Sequence, residues 1–258
     1  NGVPVATSTA LLNTVPASTS YVVDHTGTNT MQALRIGNST SQTVTLNVGD
    51  GSELTVANSS RPAGLGDNTF QTTAGTRMNI TGAVIMAGGV YFQGDSQINI
   101  HGGSLIISNR SSRINDTGSI NVLDGGRFVS QSSFELAGGG GAGDRPVLNV
   151  MDGSAVFGGI SAGARGSGTV VIAASGVWTN TGTLQFGVNP PTGNHPGVGL
   201  LISTGSVFSS GDIYLGRNRT NANSYGSILV AGGTFQQVGA NRTVRIGEQN
   251  KGFLTVEG

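Results

Sequence analysis

The chain has 258 residues, and its 13 basic and 13 acidic side chains give a formal net charge of zero. Nucleic acids and anionic membrane surfaces attract proteins with a strong basic excess, so this balance argues against both as partners. Cysteine is absent, and no apolar run approaches the roughly 18 residues of a membrane-spanning helix. We therefore expect no disulfides and no membrane insertion of this segment.

Residues 1–33 lack the repeat that follows them, and we interpret them as an N-terminal cap. A solenoid needs such a segment because its first coil otherwise exposes unpaired strand edges. Val3 to Val5 and Tyr21 to Val23 have the composition of strands, and the sequence from Ser8 to Asn13 is compatible with a helical turn.

From residue 34 onward one phrase returns: an apolar residue, any residue, an apolar residue, and then a turn containing glycine. The second apolar residue of each copy recurs every 20 to 32 residues, a period typical of solenoids. The positions are Val48, Ile80, Ile100, Val122, Val150, Ile172, Ile202, Val230 and Val256.

A second phrase, apolar-x-apolar-Gly, alternates with the first, as in Leu184-Gln-Phe186-Gly187 and Ile213-Tyr-Leu215-Gly216. Each coil is then a strand, a glycine turn, a short strand, a third strand and a variable loop. Alternation with period two places Val, Ile and Leu inside, and no segment shows a helical period. The sequence predicts an all-β, single-stranded parallel β-helix (β-solenoid) of eight to nine coils over residues 34–258. We expect it to be right-handed because crossover connections almost always are.

Stacked coils align equivalent positions into rows. We expect one row to contain Phe128, Val156, Trp178 and Phe208, with Phe235 one residue out of register. An aromatic row can serve as a platform for sugars, but its apolar phase favours core filling.

The segment Phe253, Leu254, Thr255 and Val256 opens another coil, which we predict to be incomplete. An open solenoid end is an adhesive strand edge. Either a longer natural chain continues it or a second copy covers it, so this edge is a candidate for assembly.

The repeats resemble those of glycine-rich autotransporter-type β-solenoid proteins, the kind found with type V secretion and PEP-CTERM sorting signals. Gly232-Gly-Thr-Phe235, Val244-Arg-Ile246-Gly247 and Gly252-Phe-Leu254-Thr-Val256 carry the likeness in order. The resemblance covers residues 34–258 and is weaker between Asn58 and Ser112. It implies export and a surface or extracellular role, most simply at a bacterial outer surface, and it brings no catalytic motif.

Two rows of aspartates fit either turn chemistry or calcium binding. Asp before Gly is favoured in turns, whereas aligned carboxylates on adjacent coils hold calcium in β-helical polysaccharide lyases. No cofactor is otherwise indicated. The rows are Asp50, Asp124 and Asp152, and Asp95, Asp116 and Asp144.

Four arginines, Arg217, Arg219, Arg242 and Arg245, form the densest local cluster of cations. They are either a solvated face or a contact for a sulfated or carboxylated glycan or another acidic partner. His25, His101 and His195 are scattered, and no nucleophile, base and orienting acid occur in a recognisable set.

The regular repeats favour a non-catalytic, exported structural or adhesive protein, a fibre, stalk or matrix subunit that self-associates end to end or laterally. The alternative is a carbohydrate-active β-helix, either a polysaccharide lyase or a glycan-binding module. That alternative predicts that the loops at residues 187–199 and 216–227 border one groove together with the arginine cluster.

Overall fold

The computed structural model of the protein describes residues 9–12, 20–36, 43–57, 70–72, 75–108, 111–138, 143–163, 166–187, 197–217, 224–248 and 250–257. In these residues the regular structure is all β, and every strand pairing is parallel. The strands stack into a β-solenoid of about eight turns, which confirms the predicted fold class; its handedness stays a prediction. The described part contains no helix long and apolar enough to cross a membrane.

The first side of the solenoid is a ten-stranded parallel sheet in which each strand pairs with its counterpart in the next coil. Its strands are β2 (Tyr21–His25), β5 (Val44–Val48), β8 (Thr76–Ile80), β11 (Gln97–His101), β14 (Ser119–Leu123), β16 (Val147–Val150), β18 (Ser167–Ile172), β21 (Val198–Ser203), β24 (Tyr225–Ala231) and β27 (Lys251–Glu257).

The second and third sides form one 17-stranded sheet, because two long strands, β15 (Arg127–Leu136) and β17 (Ser154–Ala162), run through both. The second side also contains β3 (Thr28–Met31), β6 (Glu53–Val56), β9 (Ala83–Met86), β12 (Ser104–Ile107), β19 (Val177–Asn180), β22 (Ser206–Ser209) and β25 (Thr234–Gln237). The third side also contains β1 (Thr9–Leu12), β4 (Ala33–Ile36), β7 (Phe70–Thr72), β10 (Val90–Phe92), β13 (Ser112–Ile114), β20 (Leu184–Phe186), β23 (Ile213–Leu215) and β26 (Val244–Ile246).

The core is an axial column of inward side chains from all three sides. One section of this column is aromatic: the Phe157 ring lies 5.3 Å from Phe128 and 5.8 Å from Trp178, measured between ring centroids. Trp178 also lies 6.4 Å from Phe186. Edge-to-face contacts of this kind stabilise the folded chain beyond the area they bury.

Glycine after the third strand allows neighbouring coils to approach closely. Gly187 and Gly216 have φ angles of +67° and +71°, which side chains rarely adopt. A Cβ at Gly216 would lie 2.2 Å from the carbonyl oxygen of Lys251. The apolar-x-apolar-Gly phrase therefore marks a left-handed corner that favours glycine, and Ala137 occupies the equivalent corner of its coil with a φ of +58°.

The predicted aromatic row is wrong at three of its positions. Phe128 pairs with Ala155, which pairs with Trp178, and the row continues to Val207 and Phe235. Val156 and Phe208 face outward because the preceding turns differ in length between coils, and a slip of one residue moves a side chain to the other face. Phe235 is in register with this row.

The same error affects one position of the first side. Ile202 faces outward and is 39% exposed, whereas Leu201 and Ser203 are buried. Ser203, rather than Ile202, pairs with Ile172 and Val230. Three consecutive apolar residues, Leu200 to Ile202, do not reveal which of them face the core.

Strand pairing extends N-terminal to the predicted boundary at residue 34. In the segment interpreted as a cap, β2 pairs in register with β5, and β3 pairs with β6. The helical turn predicted from Ser8 to Asn13 is wrong: Thr9–Leu12 is a strand that pairs with Ala33–Ile36. Val3 to Val5 lie outside the described residues.

Candidate functional site

A row of asparagine side chains runs along the outside of the first side. Each occupies the middle of an apolar-Asn-apolar strand, so it points outward, and parallel in-register pairing stacks it on the asparagine of the next coil. The five residues are Asn47, Asn79, Asn99, Asn121 and Asn149.

The stacked amides form a continuous hydrogen-bonded ladder. Asn79 Nδ2 donates to Asn47 Oδ1 at 2.9 Å, and the same bond repeats at each step up to Asn149, which donates to Asn121 at 2.7 Å. Every bond points the same way, so the amide dipoles align along the solenoid. Aligned bonds of this kind strengthen one another.

An acidic residue accepts the first hydrogen bond of this amide ladder. Asn47 Nδ2 donates to Asp24 Oδ1 at 2.7 Å. The donor end of the aligned dipoles therefore meets a carboxylate. The ladder was not predicted, although five copies of apolar-Asn-apolar at the repeat period were the signal for it.

Two aspartates act as turn residues that bind the backbone of a neighbouring coil. Asp116 Oδ2 accepts a hydrogen bond from the Gly94 backbone N–H at 2.7 Å, and Asp95 Oδ1 accepts one from Gly75 at 2.5 Å. Asp116 also has a φ of +54°, which Asp tolerates better than most residues. These contacts support turn chemistry for Asp95 and Asp116.

The other predicted row does not come together as a set of ligands. Asp124 Oδ2 pairs with His101 Nδ1 at 2.8 Å, while Asp50 and Asp152 are exposed. Asp144 is buried at 3% exposure. In the described ranges no three or more Asp, Glu or His side chains are grouped so as to hold a metal ion, and calcium binding stays a prediction.

Two of the four clustered arginines converge on one carboxylate. Arg217 Nε lies 3.4 Å from Glu248 Oε2, and Arg245 forms an ion pair with the same carboxylate. The guanidinium carbons lie 4.5 Å and 5.8 Å from the ring centroid of Tyr214. The hydrogen bond to Glu248 raises the pKa of Arg245. Two cations therefore share one anion and one aromatic face.

The two remaining arginines of the predicted cluster are Arg219 and Arg242. Arg242 is exposed, and Arg219 lies outside the described residues. Most of the two candidate loops, residues 188–196 with His195 and residues 218–223, also lies outside them. The common groove expected of a carbohydrate-active protein is therefore untested.

A second contact between an arginine and a tyrosine ring lies on the third side, in β10 and β13. The Arg113 guanidinium lies 4.2 Å from the ring centroid of Tyr91, and Asn115 Nδ2 donates to the Tyr91 hydroxyl at 3.0 Å. In both pairs Tyr and Arg occupy paired positions on adjacent strands, Tyr91 with Arg113 and Tyr214 with Arg245. Cations cover these rings, which would otherwise be the exposed aromatic faces of this side.

The predicted assembly edge carries core-phase side chains that are exposed. Leu254 and Val256 pair with the buried Ile228 and Val230, yet they are 40% and 69% exposed. Phe253 and Thr255 alternate with them, and the Phe253 ring contacts Tyr225 with 6.4 Å between centroids. A strand placed beside β27 would bury Leu254 and Val256.

Comparison of the chain with protein families, curated proteins and solved structures finds no match in any of the three.

Proposed function

We propose that this chain is a non-catalytic structural or adhesive β-solenoid, exported to the cell surface or beyond, that associates by coil stacking or lateral contacts. The observation that carries the proposal is the continuous in-register pairing of β2 through β27 along the first side. Such a surface is repetitive rather than convergent, which suits a fibre, stalk or matrix subunit.

The outward polar side chains already have hydrogen-bond or ion-pair partners within the protein, and this supports the proposed role. The outward amides bond to amides, Asp95 and Asp116 bond to the backbone, and Arg217 and Arg245 share Glu248. These groups stabilise the stack of coils, and a substrate would have to compete with those contacts.

The edge of β27 provides the contact for stacking. Leu254 and Val256 continue the core column, so a further strand from a longer chain or a second copy gains apolar burial and backbone hydrogen bonds there. Export rests on the resemblance of the repeats to autotransporter-type proteins.

Electron microscopy of the native material, with mass spectrometry of the intact chain, tests the proposal. We expect elongated particles longer than a single solenoid. Leu254→Arg with Val256→Arg should shorten them, because charge at core-phase positions blocks stacking. Thr255→Arg is the matched control, since residue 255 faces outward on the same strand.

Unchanged particle lengths in the double variant would refute stacking through β27. Removal of Gly247 to Gly258 should have the same effect as the double variant. Release of unsaturated sugars from a panel of anionic polysaccharides would instead establish the lyase alternative, and it would overturn the non-catalytic assignment.

A further inference from the structure

The second side of the solenoid carries an outward row that is mostly apolar, which we call the second-side stripe. Strand pairing aligns it one residue per coil, from Ile85 on β9 to Phe208 on β22. These side chains point away from the core, and all but Val129 remain partly exposed. The stripe consists of Ile85, Ile106, Val129, Val156, Thr179 and Phe208.

The two outward rows of the second side carry little charge. A parallel outward row beside the second-side stripe runs from Thr28 to Thr234, and in the described strands of this side Glu53 and Arg127 are the charged residues of the two rows. The third side differs, with four charged residues in its middle outward row: Arg35, Arg113, Glu135 and Arg245. Removing water therefore costs less on the second side than on the third.

We propose that this side packs against the same side of a second copy of the chain. Four-residue strands span roughly 13 Å and nine stacked strands roughly 43 Å, which gives about 560 Å² per copy and about 1,100 Å² for the pair. That total exceeds the roughly 1,000 Å² that a specific interface needs. A protein of zero net charge also meets no overall repulsion from its own copy.

A second copy fits this surface because two sheets of equal width and length can pack face to face along their whole extent. Sheets packed face to face interdigitate their side chains at a spacing of about 10 Å, and the branched Ile and Val residues of the stripe suit that packing. Arg127 follows the turn at Gly126, so its charge lies at the margin of the patch and can remain in water.

The inference extends the lateral association included in the proposed function, yet it uses a surface separate from the edge of β27. The test is analytical ultracentrifugation of the full chain over a concentration series. We expect a reversible dimer. Ile106→Glu and Val156→Glu should each raise its dissociation constant at least tenfold. Val171→Glu is the matched control, because Val171 is a β-branched outward residue in the middle row of the first side.

Circular dichroism of each variant checks that it is folded. If a Glu variant does not fold, Ile106→Thr and Val156→Thr replace it, since Thr179 already occupies this row. A chain that stays monomeric at all concentrations, or a dimer that Val171→Glu weakens as much as Ile106→Glu, overturns the inference. Loss of elongated particles in the Leu254→Arg, Val256→Arg variant with dimers retained would separate stacking from lateral pairing.

Discussion

The middle outward row of the first side changes character halfway along the molecule. From Asp24 to Asn149 it is a hydrogen-bonded ladder of amides that starts at a carboxylate. Beyond Asn149 the same row continues as Val171, Ile202 and Leu229, with identical parallel pairing. The two regions share one backbone geometry and differ in what holds their outer surface together.

This difference shows that the amide ladder is not required for coil stacking. Both regions alternate buried and outward residues, and both pack onto the same axial core. Inward side chains therefore specify the fold, and the outward row can vary between a polar ladder and an apolar strip. The ladder adds stability to the first region without determining its register.

Both regions pack onto one common core, so the largest loss of stability should come from disrupting that core. Phe157→Ala removes a buried ring that contacts Phe128, Phe134 and Trp178. We expect a loss of about 3–5 kcal/mol in the free energy of unfolding, measured with urea at low protein concentration. Phe208→Ala is the control, because Phe208 faces outward, and it should lose far less. Equal losses would contradict the register.

The register that places Phe157 inward and Phe208 outward also shows which features of the fold could be predicted from the sequence and which could not. The alternation of apolar residues and the recurring glycines sufficed for a parallel solenoid with three strands per coil. They did not reveal that the turn from Val150 to Ala155 is one residue shorter than the turn from Val122 to Phe128. Turn length sets which residues face inward, and it depends on backbone contacts between coils.

The candidate site was less predictable for the same reason. Arg217 and Arg245 of the predicted arginine cluster meet at Glu248, which was missed because it follows the turn at Gly247 and no motif connects it to Arg217. The amide ladder was visible as a repeated Asn, yet its hydrogen bonds require in-register stacking of every coil. Side-chain partners across coils become predictable only once the register is known.

Removing one amide from the ladder should have the second-largest effect. Asn121→Leu breaks the bond that Asn121 donates to Asn99 and the bond it accepts from Asn149. Two partly buried groups lose their partners, so we expect a loss of about 1–3 kcal/mol in the free energy of unfolding. Asn149→Leu breaks one bond and places an apolar residue beside Val171, so its loss should be about half as large. Equal losses in urea unfolding would show that the ladder is not a chain of additive bonds.

The smallest effect should come from extending the ladder into the apolar region. Val171 pairs with Asn149 but has no side-chain donor for the Asn149 Oδ1. Val171→Asn supplies an amide that can donate to it. The new bond opposes the loss of apolar contact with Ile202, so the change in total stability should be small. A double-mutant cycle isolates the bond: Val171→Asn is measured in the native chain and in the Asn149→Leu chain.

The difference between those two measurements is the coupling between residues 149 and 171. We expect about 0.5–1.5 kcal/mol in favour of the Asn–Asn pair, the usual net value of a hydrogen bond. A coupling of this size means that side-chain identity alone ends the ladder at Asn149. Zero coupling would mean that the backbone beyond Asn149 cannot align two amides, and the two regions would then differ in geometry as well as in composition.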